Sequence, residues 1–354
     1  MSDQRQLLAD SAERLFESHS AAAARAQSAG WQRALWEEIE ALGIPDLLVP
    51  ESSNGIGADW DDACAVLQAS GRWQTSLPIA ETLIARRLLA AAGFPAPSGP
   101  ASIAPLYSGV LSCGKHGWQF SGQLNSVPWG REVTRIVTVM PFENALRLVM
   151  LDSADANLQK AVNLAGEPRD TMRFDAASVQ TASITGHEAD NLFGFAALAT
   201  TALISGALQS ALDGSIAYAC ERKQFGKPIG QFQAVQQQLA AFGAETAAVA
   251  CAVRAAGIAA SAGDASFQIA AAKLRANLAI GVATATAHQV HGAIGFTEEC
   301  ALHHATQRLW SWRSEMGNDR YWSLRLGQSV IARCAENFWS DLTARDDAAS
   351  KGSD

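Results

Sequence analysis

Tyr218-Ala-Cys-Glu-Arg-Lys-Gln-Phe-Gly-Lys-Pro-Ile-Gly-Gln-Phe-Gln-Ala-Val-Gln-Gln-Gln-Leu239 lies between two long Ala-rich segments. The charged run Glu221-Arg222-Lys223 closes the first segment. Gly226, Pro228 and Gly230 then interrupt the helical pattern before a second one opens at Gln231. The pattern predicts a helix hairpin whose corner carries the Arg222 guanidinium, the rings of Phe225 and Phe232, and the amides of Gln224 and Gln233. A fixed cation beside flat rings and amides suits a phosphate and a flat heteroaromatic ring.

The run Glu221-Arg222-Lys223-Gln224-Phe225-Gly226-Lys227-Pro228-Ile229, with Gln233, resembles the flavin-contacting signature of the acyl-CoA dehydrogenase family. The resemblance implies a mainly α chain with a small β domain: an N-terminal helical domain, a middle antiparallel β-barrel and a C-terminal four-helix bundle. It implies FAD as cofactor, with Arg222, Gln224, Phe225, Ile229, Phe232 and Gln233 reaching the FAD of a neighbouring subunit. About 60 residues on, His288-Gln289-Val290-His291-Gly292-Ala293-Ile294-Gly295-Phe296 resembles the family's Gln-x-x-Gly-Gly-x-Gly loop. That likeness assigns Gln289, Gly292 and Ala293 to the FAD pyrophosphate and adenosine. Glycine lets backbone N–H groups approach a phosphate that a side chain would hold off; Ala293 replaces one such glycine. Without the resemblance, the same residues read as a helix-to-helix turn with glycine at its C-cap.

With 354 residues and 48% hydrophobic content, the chain has material for two or three packed domains. The net charge of -8 comes without a basic run, which argues against nucleic acid as a partner. The N-terminus enters an amphipathic, acid-containing pattern at once, unlike a signal or transit peptide. No uncharged apolar run reaches the ~20 residues of a membrane span, and Phe193 to Leu212 reads as a tightly packed helix. The six cysteines show no paired spacing, so they read as reduced, buried thiols in a cytoplasmic protein.

In chain order, residues 1–100 read as the helical N-terminal domain, with apolar faces at Leu7, Leu8, Ala12, Leu15 and Phe16, then Trp31, Leu35, Trp36, Ile39 and Leu42. The proline-rich segment 94–100 ends it. Residues 101–186 read as the β domain, with strands near 118–120, 135–139, 146–151 and 178–184 and turns at Gly109, Gly114, Gly122 and Gly130. Residues 187–345 read as four long helices, the last spanning 299–343, before a frayed tail at 346–354. His288 and His291 have helical spacing near His303 and His304, but no carboxylate motif accompanies them, and no metal is expected.

Measured against the family resemblance, the chain lacks parts. No Thr-Glu-Pro-x-x-Gly-Ser-Asp loop occurs between residues 90 and 125. The segment that would meet flavin N5 is Ser126-Val127-Pro128, and proline has no N–H to donate. The chemistry needs a carboxylate to take the α-proton as hydride leaves Cβ. Met316 stands at the family's usual base position and Ala196 at its alternative one. Glu315 is one residue off, which on a helix is a rotation of about 100°, and reads as a surface charge pairing with Arg308, Arg313 or Asp319. Both elements that reach a neighbour's FAD are present, whereas those serving the chain's own site are altered. The pattern implies one subunit of an α2β2 enzyme whose sister subunit supplies the base, acting on an acyl-CoA and passing electrons to an acceptor protein. The run Asn163-Leu164-Ala165-Gly166-Glu167-Pro168-Arg169-Asp170 resembles shortened members of that kind from bacterial steroid side-chain degradation. Two alternatives stay open: a self-associating enzyme that uses Glu315, and a non-catalytic flavin-binding or assembly subunit.

Overall fold

The computed structural model describes residues 3–26, 31–115, 117–297, 299–340 and 342–343, so the tail expected at 346–354 lies outside it. Four helices open the chain: α1 (Asp3–Ala26), α2 (Arg33–Ala41), α3 (Trp60–Arg72) and α4 (Ile79–Ala91). Strands β1 (Ala101–Ile103), β2 (Tyr107–Gly114), β3 (Gly117–Pro128), β4 (Arg135–Phe142), β5 (Ala145–Asp152), β6 (Asn157–Gln159), β7 (Arg169–Ser178) and β8 (Gln180–Ser183) follow. A single turn, α5 (His187–Asp190), precedes α6 (Leu192–Glu221), the short strands β9 (Lys223–Gln224) and β10 (Lys227–Pro228), α7 (Gln233–Ala262), α8 (Ser266–His291), α9 (Leu302–Ser314) and α10 (Asp319–Ala332). The chain forms two compact units. One joins Met1–Ala24 and Trp60–Thr75 to Ala197–Asp354, and the other comprises Arg25–Asp59 and Ser76–Ala196.

The second unit is built on two four-stranded sheets, β1-β4-β5-β8 and β2-β3-β7-β6. All pairs are antiparallel except β1 with β4, a departure from the antiparallel expectation. Strand β1 is tied along α4, where the Thr82 hydroxyl donates to the Ala101 carbonyl at 3.0 Å and accepts from its N–H at 3.2 Å. Phe120, Leu124, Ile136, Val149, Leu151 and Met172 from both sheets share one core. Gly109 and Gly122 are strand residues rather than turns. They face each other across β2 and β3, and a Cβ on either would overlap the opposite backbone. Strands β2 and β7 were not legible in the sequence; in β7 the inward face itself carries a charge, Asp170 beside Met172 and Phe174. Its Asp170, fully buried, accepts from the Arg131 side chain at 2.5 Å and from the Ala161 N–H at 3.0 Å, which fixes the preceding loop.

In the first unit, α6, α7 and α8 form the bundle expected of an Ala-rich sequence. Closest approach depends on glycine, not alanine: a Cβ at Gly71 would overlap the Leu203 carbonyl, and one at Gly206 the Gln68 carbonyl, so α3 and α6 cross backbone to backbone. Helices α6 and α7 are long and apolar enough to cross a membrane by length and composition. The apolar window of α6 is 78% buried within the protein, the position of a bundle core, whereas that of α7 is 28% buried. On α1, Ala12, Leu15 and Phe16 are buried while Leu7 is exposed, as is Leu42 beyond α2. Cys64 is buried, but Cys113, Cys220, Cys251 and Cys334 are exposed, which corrects the expectation of buried thiols.

The last expected helix is two. Met316 has φ 50° and Gly317 φ 98°, conformations that end α9. The Asn318 side chain then caps α10 by accepting from the Tyr321 N–H at 3.0 Å.

Candidate functional site

The hairpin corner is tighter than a helix break. Gln224 pairs with Lys227 and Lys223 with Pro228, so only Phe225 and Gly226 form the turn, at φ 50° and 81°. Positive φ at both residues defines the two-residue turn that matches strand twist. The Ile229 N–H closes the base of the hairpin on the Arg222 carbonyl at 2.8 Å. Phe225 is thereby held 91% exposed on a constrained turn, edge-on to the half-buried Phe232 with centroids 6.1 Å apart. The Lys227 ammonium lies 4.4 Å from the Phe232 ring centre. Gln233 begins α7, whose first turn has neither a side-chain cap nor an acidic residue. Arg222, Gln224 and Gln233 are exposed, Ile229 is half-buried, and among the described residues no carboxylate pairs with Arg222.

The second sequence motif arrives beside the first. Tyr218, on the last turn of α6, stacks on His291 at the end of α8, with centroids 4.6 Å apart and planes 22° apart. Gly292 follows at φ 65°, and residues Gly292–Phe296 wind as a short 3-10 turn. Gln289, Gly292 and Ala293 are all exposed there. Gly295 is buried, and a Cβ on it would press His291 at 3.0 Å. His288 stacks on Phe296 at 4.1 Å and meets the Thr306 hydroxyl at 3.0 Å; burial, then His291 and His303, hold its pKa below the usual histidine value. Among the described residues no three histidines, cysteines or carboxylates gather as a metal site. Sequence reasoning missed Tyr218, whose place one turn before Arg222 was the available signal.

These features fit FAD: an exposed guanidinium, exposed aromatic faces and a glycine turn lie at one end of one helical bundle. The family description Acyl-CoA dehydrogenase, C-terminal domain, matches residues 188–320, and Acyl-CoA dehydrogenase, N-terminal domain, matches residues 2–96. The chain belongs to the acyl-CoA dehydrogenase family. Its members are FAD-dependent oxidoreductases acting on the CH–CH group of an acyl-CoA. Acyl-CoA dehydrogenase IpdE2 of Mycolicibacterium smegmatis is 26% identical over 309 residues, covering 84% of this chain and 90% of that protein. The ChsE4-ChsE5 complex from Mycobacterium tuberculosis is similar in fold, with a TM-score of 0.86 and 20% identity over 94% of this chain and 98% of the compared chain. A variant of the Tcur3481-Tcur3483 steroid ACAD gives a TM-score of 0.83 and 24% identity over 92% and 97%.

Of the two residues that the sequence resemblance sets at base positions, Met316 presents a half-buried thioether and Ala196 is buried within α6. Glu315 is not on a helix face, as the sequence reading assumed. It caps α9 in an extended conformation, φ -72° and ψ 146°. Arg313 pairs with Asp319 at 2.6 Å. On α8, fully buried Lys273 sends its ammonium to the Asn277 side-chain oxygen (2.7 Å) and the carbonyls of Trp312 (2.8 Å) and Arg313 (3.3 Å). Asn277 donates to the Gly317 carbonyl at 3.2 Å, and the Trp322 indole to that of Met316 at 2.9 Å. Sequence reasoning missed this arrangement too, although a lysine amid Ala270-Ala-Ala-Lys-Leu274 was visible.

Proposed function

We propose that this chain is one subunit of a heteromeric, FAD-dependent acyl-CoA dehydrogenase, and that its hairpin corner completes a flavin site on a sister subunit. The observation that carries the reading is the corner itself. A constrained turn holds Phe225 out in solvent beside an Arg222 that no described carboxylate neutralises, where the Tyr218–His291 stack joins it to the Gln289 turn. An aromatic ring fixed outward exposes apolar surface at a cost unless something covers it. The outward length of α7 offers the adjoining surface for a second subunit.

In this assembly Arg222 would hold a phosphate, Phe225 and Phe232 would cover a flat ring, and Gln289 with the Gly292–Ala293 backbone would take the pyrophosphate. Bound FAD supplies the hydride acceptor. The chain's own flavin-facing segment is poorly suited to the role: Pro128 offers no N–H, and its carbonyl already accepts from the buried Ser102 hydroxyl at 2.5 Å. Met316 accepts no proton, so the sister subunit supplies the base. The resemblance of residues 163–170 to shortened members from steroid side-chain degradation, with the likeness in fold to the steroid ACAD, supports a steroid side-chain CoA thioester as substrate, with an electron-transfer protein as acceptor.

Purifying the chain alone and with candidate sister subunits tests this. The expected result is acyl-CoA-dependent flavin reduction in the mixed complex at a rate at least a hundredfold above the lone chain; full activity in a lone homotetramer would overturn it. In the mixed complex, Arg222→Ala should release FAD ten- to a hundredfold more readily, the equivalent of a charged phosphate contact of ~1.5 to 3 kcal/mol. Unchanged flavin content on dilution would remove Arg222 from the site.

One observation favours a second reading. The turn carrying Glu315 is braced by Lys273, Asn277 and Trp322, more support than an idle loop needs, and Glu315 lies in that turn rather than on the helix. In this reading Glu315 takes the α-proton.

A further inference from the structure

We propose that Lys273, with Asn277 one turn later on α8, is a positioning residue that holds the Glu315–Gly317 turn and so the carboxylate it carries. The proposal rests on the second reading above, in which Glu315 takes the α-proton.

The geometry of the turn carries it. A left-handed methionine is sparsely populated and persists only where its surroundings leave no alternative. Here those surroundings are side chains gripping carbonyls. Lys273 takes the Trp312 and Arg313 carbonyls, which lie in the last turn of α9 and lack onward helical partners. Asn277, whose oxygen is occupied by Lys273, holds the Gly317 carbonyl with its amide hydrogens, and Trp322 holds that of Met316. Gly317 is enclosed, since a Cβ there would come within 2.5 Å of the Trp322 indole nitrogen. Residues 315 and 316 thus hang between fixed points on either side.

Capping a helix end does not require a buried cation; an amide or hydroxyl would do so without the desolvation. Burial drives the Lys273 pKa down to about 7, while Glu315 and Asp319 pull it back up and Arg313 opposes them. Of these groups, Asp319 is also engaged by Arg313. Glu315 is the carboxylate with the largest pull on Lys273. Three ammonium hydrogens match three acceptors. The neutral amine has only two, so losing the proton weakens the grip on the turn.

The test uses the enzyme in its active form, with its sister subunit where that is required, and compares kcat, KM and their pH dependence for Glu315→Gln, Lys273→Gln, Lys273→Met and Asn277→Ala. If Glu315→Gln costs a thousandfold in kcat, the second reading stands. Lys273→Gln should then lower kcat ten- to a hundredfold with KM within threefold and remove the alkaline limb near pH 7. Asn277→Ala should lower kcat while keeping the alkaline limb, because it loosens the turn and leaves the lysine in place. Should Lys273→Met fail to fold, the Gln and Asn277 variants still decide. A wild-type profile in Lys273→Gln, alongside a large loss in Glu315→Gln, would overturn this proposal alone. Near wild-type activity in Glu315→Gln would overturn the second reading and this proposal with it.

Discussion

Gly206→Ala lowers the stability of the protein, and Gly214→Ala, eight residues later on the same helix, raises it. Glycine inside a helix costs about 0.5 to 1 kcal/mol relative to alanine, so by propensity both changes stabilise. At Gly214 nothing lies within 4 Å of the added methyl, and the propensity gain should appear in full. At Gly206 the methyl meets the Gln68 carbonyl and would come within 2.6 Å of the Arg72 amide nitrogen, both backbone atoms of α3. Backbone of a packed helix cannot swing aside as a side chain can, so α3 and α6 must separate. Overpacking of this kind costs about 1 to 3 kcal/mol, and more where the neighbour cannot give. We expect the larger end, a net loss of about 3 kcal/mol. That is a fall in Tm of roughly 6 to 12 °C at 2 to 4 °C per kcal/mol for a unit of this size. The two variants are compared by thermal unfolding at one protein concentration, because assembly also shifts Tm. Equal effects from the two would mean that α3 and α6 do not cross at Gly206.

The same glycine shows how far the sequence could be read. That residues 187 onward form Ala-rich helices was plain from composition and from the breaks at Gly226, Pro228, Gly263 and Gly292. Which residue sits at a backbone crossing was not, because Gly71 and Gly206 are far apart in sequence and meet only when the helices cross. The hairpin corner was legible in its chemistry but not its shape: Phe225-Gly226 reads as a helix break, yet two positive φ values make it a two-residue turn between short strands. The break at Met316–Gly317 was hidden for a related reason. One glycine within a long helical pattern is compatible with a continuous helix, and the interactions that force the turn come from Lys273 and Asn277, about 40 residues earlier. In the β region, Gly109 and Gly122 carry a turn signal in sequence but serve as a contact between strands, where no side chain fits.

Lys273 also sets a dependence of stability on pH. Burial holds its folded-state pKa at about 7, well below the ordinary lysine value of 10.5 that applies in the unfolded chain. Below pH 7 the lysine is charged in both states, and the folded protein bears the full cost of burying that charge. Between pH 7 and 10.5 the unfolded chain keeps the proton and the folded protein releases it, so the unfolded state binds more protons and stability rises with pH. At about 1.4 kcal/mol per pH unit, the gain from this group between pH 6 and pH 9 is about 2 to 3 kcal/mol. Lys273→Met carries no titrating group, and its remaining pH dependence comes from the rest of the protein. The stability of wild type minus that of Lys273→Met, from urea unfolding at a fixed protein concentration, should therefore be flat below pH 6 and climb by that amount up to pH 9. The sign is the informative part. A lysine held mainly by its ion pairs would have a raised pKa, and its contribution would instead be lost as pH rose past 10. A flat difference across this range would mean that Lys273 reaches water and that the last carbonyls of α9 are held by something else.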